Sequence, residues 1–186
     1  MKARTPRLLA AAVGLAALSV VGAGTGATAA SDSQKAHAAV IKMKQDGKEL
    51  YFEGPESVAA GDVLKIKNVT DPAKVGPHTF SLVRKKEIPT DPQDMKDCER
   101  KFAAICGAII EWHEVDLESG EVGRNPVEVG EDGWNVEGTL KRTGDSWVSE
   151  KEGQTFKQNV AAESGETLHY FCAVHAAMQG KIKVEG

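Results

Sequence analysis

Long apolar stretches are missing from this chain after its first 30 residues, and cysteine, histidine and aromatic residues are few. No later segment approaches the roughly 20 apolar residues that a helix needs to cross a bilayer, so no membrane span is expected beyond the N-terminus. Acidic residues outnumber basic ones, 27 to 23, which gives a formal net charge of −4 at pH 7. Because nucleic-acid affinity depends on Lys and Arg that face phosphates, we expect no nucleic-acid partner, and anionic lipid fits poorly.

The first 30 residues have the three parts of a secretory signal peptide. Basic residues at positions 2, 4 and 7 precede an apolar stretch of about 14 residues, and small residues follow up to Ala29 and Ala30. An uncleaved N-terminal anchor is the less favoured alternative, because this stretch is short for a membrane span. Cleavage would leave residues 31–186 as a single domain with a net charge of about −7. We therefore expect a secreted or extracytoplasmic protein, and the Ala-rich leader favours a bacterial source.

Short alternating segments in both halves of the chain predict β-strands. The sequence Gln45-Asp46-Gly47-Lys48 is a hairpin signal, because Asp-Gly readily adopts the backbone angles of tight turns. Further strands are expected at 63–69, 78–83, 155–160, 167–173 and 180–184. About seven short strands with polar turns are typical of a β-sandwich, so the fold class is expected to be mainly β.

Residues 85–153 differ in composition from the strand-rich segments around them. They hold 17 acidic and 9 basic residues, so the negative charge of the chain is concentrated here. Their first part predicts a helix capped by Thr90 or Asp91, with Pro92 in the first turn. The second part, 119–153, is Gly-rich, and we expect its two tryptophans to anchor it onto the sandwich. The segment is therefore predicted to be an acidic, partly helical insert.

The segment Cys172-Ala173-Val174-His175-Ala176-Ala177-Met178 carries a thiol, an imidazole and a thioether within seven residues. It lies on the turn between two predicted strands, which would hold these side chains close together. Soft sulfur ligands combined with imidazole select copper, and two His and one Cys with a weak axial Met are typical of electron-transfer copper sites. The second His must come from elsewhere in the fold. His78 is the candidate, because Gly76 and Pro77 deliver it to the start of a strand.

These residues resemble the copper-binding segments of the cupredoxins, the small blue copper proteins that include plastocyanin, pseudoazurin and amicyanin. Cys-x2-His-x2-Met is the short form of the family's loop, and Val-Gly-Pro-His-Thr-Phe at 75–80 is similar to its upstream His segment. The likeness covers residues 38–84 and 154–186. It implies a Greek-key β-sandwich, with the insert between the two halves of the copper site. It also implies one type 1 copper ion with the ligands His78, Cys172, His175 and Met178, of which Met178 is the long axial one.

The resemblance further implies single-electron transfer between redox partners by Cu(I)/Cu(II) cycling, with His175 as the exit route. We expect a monomer whose partner is a redox protein, and the acidic insert could steer a positively charged one. Two features depart from the family pattern. His78 and Cys172 are 94 residues apart, and the insert fills this long gap. Thr79 stands where plastocyanin-like sequences often carry Asn, although Thr can still donate a hydrogen bond.

Other functions fit these residues less well than blue copper. Multicopper oxidases and copper nitrite reductases add His-x-His pairs, which the five histidines of this chain do not form, so we expect no enzyme. The main alternative is an extracytoplasmic copper carrier without an electron-transfer role, although its Met-rich or His-rich tracts are missing. Zinc would favour more thiolates or a closed four-ligand set. Cys172 alone would be interpreted more simply as a buried thiol, and His175 alone as a surface histidine.

Two cysteines remain if Cys172 binds the metal, and an exported chain favours pairing them. One continuous helix would separate Cys98 from Cys106 by about 12 Å, whereas bridged Cα atoms lie about 4.4–6.8 Å apart. Either the helix breaks between them, with a second helix from about Cys106 to His113, or both thiols stay free. The favoured arrangement is the broken helix with a disulfide.

Three histidines lie outside the proposed ligand set. His37 belongs to the N-terminal tail and is expected to be exposed. His169 precedes Cys172 by three positions in a strand, so its side chain is expected to face away from the metal. His113 is assigned a structural or surface role in preference to a second metal site. It becomes a residue of interest if the insert folds over the copper end.

Overall fold

A computed structural model describes residues 37–129, 133–136 and 143–186 of the chain. The predicted signal peptide, residues 1–30, lies outside these residues and stays a prediction. Within the described residues there are nine strands, three α-helices and one 3-10 helix, Lys85–Glu87. The strands are β1 (Ala38–Asp46), β2 (Glu49–Glu53), β3 (Ser57–Ala59), β4 (Val63–Asn68), β5 (His78–Val83), β6 (Thr143–Ser149), β7 (Thr155–Asn159), β8 (Thr167–Phe171) and β9 (Gln179–Glu185). The helices are α1 (Pro72–Val75), α2 (Pro92–Lys101) and α3 (Ile105–Trp112).

The strands form two sheets, with the orders β2-β1-β4-β7 and β3-β9-β8-β5-β6. The β1–β4 and β3–β9 pairs are parallel, and the other pairs are antiparallel. In β4, Leu64 and Ile66 are buried while Lys65 and Lys67 are half-buried, since successive side chains point to opposite faces of a strand. The predicted mainly β sandwich is confirmed. So is the hairpin at Gly47, where β1 and β2 pair antiparallel.

The core between the sheets is built around Phe80 of β5. Its ring lies edge-on to those of Phe52 and Trp134, with centroids 5.9 and 5.1 Å away, and 4.8 Å from the ring of Tyr170. Such arrangements suit the charge distribution of aromatic rings. Trp134 is 0% exposed and donates its indole N–H to the Leu64 carbonyl at 3.1 Å. The Gly-rich segment is therefore anchored onto the sandwich by this tryptophan, as predicted.

Residues 143–149, which the sequence analysis assigned to the insert, form a strand of the five-stranded sheet. β6 pairs antiparallel with β5, and Trp147 lies opposite Phe80 in the register. The strand escaped detection because its interior positions include polar residues. Asp145, Ser146 and Ser149 are each 0–1% exposed, so the strand lacks the usual alternation of polar and apolar residues.

The helical part of the insert has the predicted order of helix, break and second helix. Asp91 caps α2 by accepting a hydrogen bond from the backbone N–H of Gln93, and Pro92 follows in the first turn. The helix ends at a residue in the left-handed conformation, and α3 begins after it at Ile105. The break allows Cys98 and Cys106 to form a disulfide with Cα atoms 5.4 Å apart.

The described helices are all too short or too polar to cross a membrane.

Candidate metal centre

Three potential ligands that are distant in the sequence meet at one end of the sandwich. His78 begins β5, Cys172 directly follows β8, and His175 lies in the loop between β8 and β9. The Cys172 Sγ atom is 3.9 Å from His78 Nδ1 and 3.6 Å from His175 Nδ1. Ligand atoms of the three residues all lie within 4.8 Å of one another. Separations of this size suit ligands that converge on one ion.

The ring of His78 is held in one orientation by a hydrogen-bond relay. The backbone N–H of Thr70 donates to Asn68 Oδ1 at 2.9 Å, which identifies that atom as the acceptor oxygen. The Thr70 hydroxyl also donates to it, at 2.7 Å. The hydroxyl oxygen, 2.8 Å from His78 Nε2, therefore accepts a hydrogen bond from that nitrogen. With the proton on Nε2, the Nδ1 lone pair of His78 faces the thiol, as a metal ligand requires.

His175 is fixed in the same way by a backbone carbonyl. Its Nε2 atom lies 2.8 Å from the oxygen of Val75, which can only accept, so Nε2 carries the proton and Nδ1 is free. The carbonyl belongs to the last residue of α1, a short helix capped by Asp71 and ended by Gly76. Gly76 has φ 84°, a positive value that glycine adopts without strain. The turn before His78 thus also orients the second imidazole.

Burial keeps all three groups uncharged in the absence of a metal. Desolvation lowers the pKa of His78 to about 4, and it lowers the pKa of His175. Both rings are therefore neutral at pH 7 and available as ligands. Burial also raises the pKa of the Cys172 thiol. A bound cation would oppose this effect, because the positive charge stabilises the thiolate.

Thr79 supports the thiol with both its backbone and its side chain. Its N–H donates to Cys172 Sγ at 3.3 Å, and its hydroxyl oxygen accepts from the Ala173 N–H at 2.8 Å. Hydrogen bonds from the backbone and side chain of Thr79 lower the pKa of the thiol, against the effect of burial. The expectation that Thr at this position can take the role of Asn in supporting the site is consistent with these contacts.

Comparison with known proteins gives matches among solved structures alone, since no protein-family model and no curated protein matches the sequence. The chain is similar to a dithionite-reduced auracyanin from Roseiflexus castenholzii, at 14% identity and a TM-score of 0.40, over 81% of this chain and 98% of that one. It is also similar to auracyanin B, at 14% identity and a TM-score of 0.44, over 81% of this chain and 90% of that one. An azurin from Methylomonas sp. strain J matches at 15% identity and a TM-score of 0.41, over 81% of this chain and 98% of that one.

The two-sheet sandwich and the His-Cys-His cluster at its end agree with the resemblance drawn from the sequence. The described residues thus form the mainly β sandwich that this resemblance implies. At identities of 14–15% and TM-scores of 0.40–0.44, the matches themselves give no information on function. Function must therefore be argued from the site.

The loop of this candidate site is closed by its own backbone. The Cys172 N–H donates to the Met178 carbonyl at 2.9 Å, and the Met178 N–H donates to the His175 carbonyl at 2.8 Å. Met178 is 0% exposed and belongs to the main core. The seven-residue segment is thus a compact turn, in which His175 is half-buried while Cys172 and Met178 are buried.

The helical insert packs against this loop. Glu99 of α2 accepts the Ala176 N–H at 2.8 Å, and the Gln179 amide donates to the Pro89 and Ala176 carbonyls at 2.6 and 2.7 Å. Apolar contacts join the helices to the same loop through a second cluster, formed by Val83, Cys98, Ile105, Cys106, Ile109, Phe171, Ala173 and Ala176. The position of the insert, which the sequence left open, is therefore beside the candidate site.

The remaining histidines lie outside the cluster of three. His37 is exposed, and His169 is half-buried, with a pKa lowered by burial and by Lys85 and Lys181. His113 is 0% exposed, so it is not a surface residue.

Sequence reasoning missed Thr70 and the Val75 carbonyl, which orient the two imidazoles. No pattern could have identified them, because a threonine in a loop and a backbone carbonyl carry no signal of their own.

Proposed function

We propose that this protein binds one copper ion as a type 1 site and transfers single electrons between redox partners. The proposed ligands are His78, Cys172, His175 and Met178. The observation that supports this most strongly is a buried thiol between two neutral imidazoles whose Nδ1 lone pairs face it. One thiolate, two imidazoles and a nearby thioether form a donor set that fits copper. Zinc fits less well, because it favours closed sets without a thioether.

Copper, when bound, would supply reversible one-electron chemistry. The residues of the chain would keep the ligand positions nearly constant between the two oxidation states. Thr70 and Val75 hold the imidazole rings through atoms that do not face the thiol. Thr79 and the hydrogen bonds of the 172–178 loop fix the sulfur. A site held by the fold requires little rearrangement when an electron arrives or leaves.

The surface above His175 is the proposed contact for a redox protein. Its ring is half-buried whereas His78 is 0% exposed, so the electron would leave through His175. Pro77 and Ala177 are exposed and offer small apolar side chains. Weak redox encounters typically bury less than about 1,200 Å², so a small patch is enough. We further propose that the protein acts as a monomer outside the cytoplasm, in keeping with its leader sequence and its disulfide.

Copper titration of the chain without its leader tests this proposal. We expect one equivalent of Cu(II) to produce an intense visible absorption band and a reversible one-electron wave in voltammetry. Cys172→Ser should abolish the band, whereas Cys98→Ser combined with Cys106→Ser should retain it. A colourless complex with tight Cu(I) binding would support the alternative, a copper carrier without an electron-transfer role.

Met178 is tested separately, because a weak axial ligand tunes the site and does not form it. Met178→Leu keeps the volume and removes the sulfur, so we expect a coloured site with an altered reduction potential. Leu168→Met, a similar exchange at another 0% exposed core position, serves as the control for repacking. If spectrum and potential are both unchanged in Met178→Leu, Met178 is not a ligand.

A further inference from the structure

A buried chain of hydrogen bonds connects the candidate site to His113 of the insert. The Ser81 hydroxyl donates to Thr79 Oγ1 at 3.0 Å, and the oxygens of Ser81 and Ser146 are 2.7 Å apart. Ser146 Oγ lies 2.7 Å from His113 Nε2, and His113 Nδ1 lies 2.8 Å from the Arg124 carbonyl. Thr79, Ser81, Ser146 and His113 are each 0–1% exposed. Four polar groups thus form a continuous path through the protein interior.

The path follows from the register of the sheet. Thr79 and Ser81 are two positions apart on β5, so they share one face, and Ser81 lies opposite Ser146 of β6. His113 directly follows α3 and contacts this face from the insert. Buried hydroxyls are costly unless they are hydrogen-bonded, and apolar residues would pack here without that requirement. A role in packing alone therefore gives no reason for three hydroxyl groups and an imidazole in a row.

The direction of the hydrogen bonds depends on the protonation of His113. Its Nδ1 carries a proton, because the Arg124 carbonyl can only accept. In one of the two possible orders, Ser81 donates to Thr79, so Ser81 accepts from Ser146, and Ser146 in turn accepts from Nε2. This order requires a proton on both ring nitrogens. The hydroxyl proton of Thr79 is then free to point at the sulfur of Cys172.

A neutral His113 ring reverses the direction of the hydrogen bonds along the path. Nε2 then accepts from Ser146, Ser146 accepts from Ser81, and Ser81 accepts from Thr79, whose proton turns away from the sulfur. Burial lowers the pKa of His113, which favours this neutral form. The charged groups nearby are Arg124, whose cation also lowers that pKa, and Glu114, which pairs with Arg124 at 2.9 Å. Asp145 of β6 accepts the Asn135 N–H at 2.6 Å.

We propose that His113 is a positioning residue that tunes the Cys172 sulfur through Ser146, Ser81 and Thr79. Hydrogen bonds to the cysteine sulfur are one of the means by which a protein sets the potential of such a site. When the Thr79 hydroxyl points at the sulfur, it withdraws electron density and favours the reduced metal. The redox part of this inference rests on the proposed copper function. The rotation of the hydroxyl groups does not depend on that function.

The metal-free protein provides the first test. The Ala173 N–H donates to Thr79 Oγ1, so its amide proton resonance reports on the other hydrogen bonds of that oxygen. We expect this resonance to shift on acidification with the same midpoint as the ring nitrogens of His113. In Ser146→Ala the His113 ring should still titrate, but the matching shift of Ala173 should be lost. An Ala173 resonance that is indifferent to the His113 titration in the unmodified chain overturns the proposal.

The copper-loaded protein provides the second test. We expect the reduction potential to rise as His113 takes up a proton. This pH-dependent rise should be lost in His113→Gln and in Ser146→Ala. His169→Gln, which removes a histidine outside the path, should retain it. Equal pH profiles in all four proteins would contradict a role for the path. If the chain binds no copper at all, the proposed function fails, and the Ala173 measurement still decides whether the path exists.

Discussion

The orientation of each proposed imidazole ligand depends on one residue that does not face the thiol. Thr70 links His78 to Asn68, which fixes the ring proton on Nε2. Thr70→Val keeps the shape of the side chain and removes the acceptor, so a buried N–H group loses its partner. Partners of this kind typically contribute about 10–100-fold to metal affinity. A loss of one buried hydrogen bond should also lower the free energy of unfolding by about 1–3 kcal/mol.

Competition with a chelator measures the affinity of Thr70→Val for copper, and chemical denaturation of the metal-free protein measures its stability. Thr155→Val is the matched control, because Thr155 is exposed on β7. Unchanged affinity in Thr70→Val would show that the relay does not orient His78 for metal binding.

The predictability of the site differs between single residues. Cys172, His175 and Met178 share one short segment, so their spacing alone indicated the chemistry. His78 was identified because a breaker and a strand pattern surround it. Thr70 could not be predicted in the same way, because its contact with His78 arises only when α1 folds between them. The sequence therefore indicated the ligand set, but not the groups that orient it.

Helices and strands also differ in how well the sequence predicts them. The start of α2 was predictable from Asp91 and Pro92, and the distance between two cysteines indicated a break in the helix. β6 was not recognised, because Asp145 and Ser146 are polar but buried. Their burial is possible only because partners from other elements, such as Asn135 and His113, satisfy them. A strand that is buried on both faces has no alternation from which it could be recognised.

The disulfide of the helical insert gives a prediction at this scale. Cys98→Ser combined with Cys106→Ser removes a cross-link that closes a short loop, which should lower the free energy of unfolding by about 2–3 kcal/mol. The copper-dependent colour should persist, because Cys172 lies in a different element. A small spectral shift is expected, since Cys98 and Ala176 belong to the same apolar cluster.

Denaturant unfolding and the visible spectrum measure the two effects on one sample. Replacing both cysteines with alanine is the control, because it removes the cross-link without burying two hydroxyl groups. Loss of colour in the serine variant would show that the roles of the three cysteines have been assigned wrongly.

For the whole molecule, the sandwich was predictable because short strands with polar turns have few other arrangements. The position of the insert was not, because it depends on how α2 and α3 pack against Phe171 and the loop that follows it. That packing places the helices and their disulfide against the loop that carries the proposed metal ligands. Substitutions in the insert are therefore expected to alter the properties of the metal centre, although none of its residues is a proposed ligand.

The burial of several histidines predicts how the stability of the metal-free protein depends on pH. The pKa of His78 is lowered to about 4, and those of His113, His169 and His175 are lowered in the same direction. Each has a pKa of about 6.5 in the unfolded chain. Below this value the unfolded chain takes up protons that the folded chain does not, so the free energy of unfolding falls as the pH decreases.

The effect of His78 should begin near pH 6.5, be complete near pH 4, and amount to about 3 kcal/mol. Urea denaturation at a series of pH values measures it. His78→Gln should flatten the profile in this window, whereas His37→Gln, which changes an exposed residue, should not. The half-buried carboxylates of Asp71 and Asp97 have a pKa below the ordinary 3.8, so their effect follows at lower pH and is separable. A flat profile between pH 6.5 and 4 in the unmodified protein would mean that these rings are accessible to protons, and a preformed site of neutral imidazoles would then be excluded.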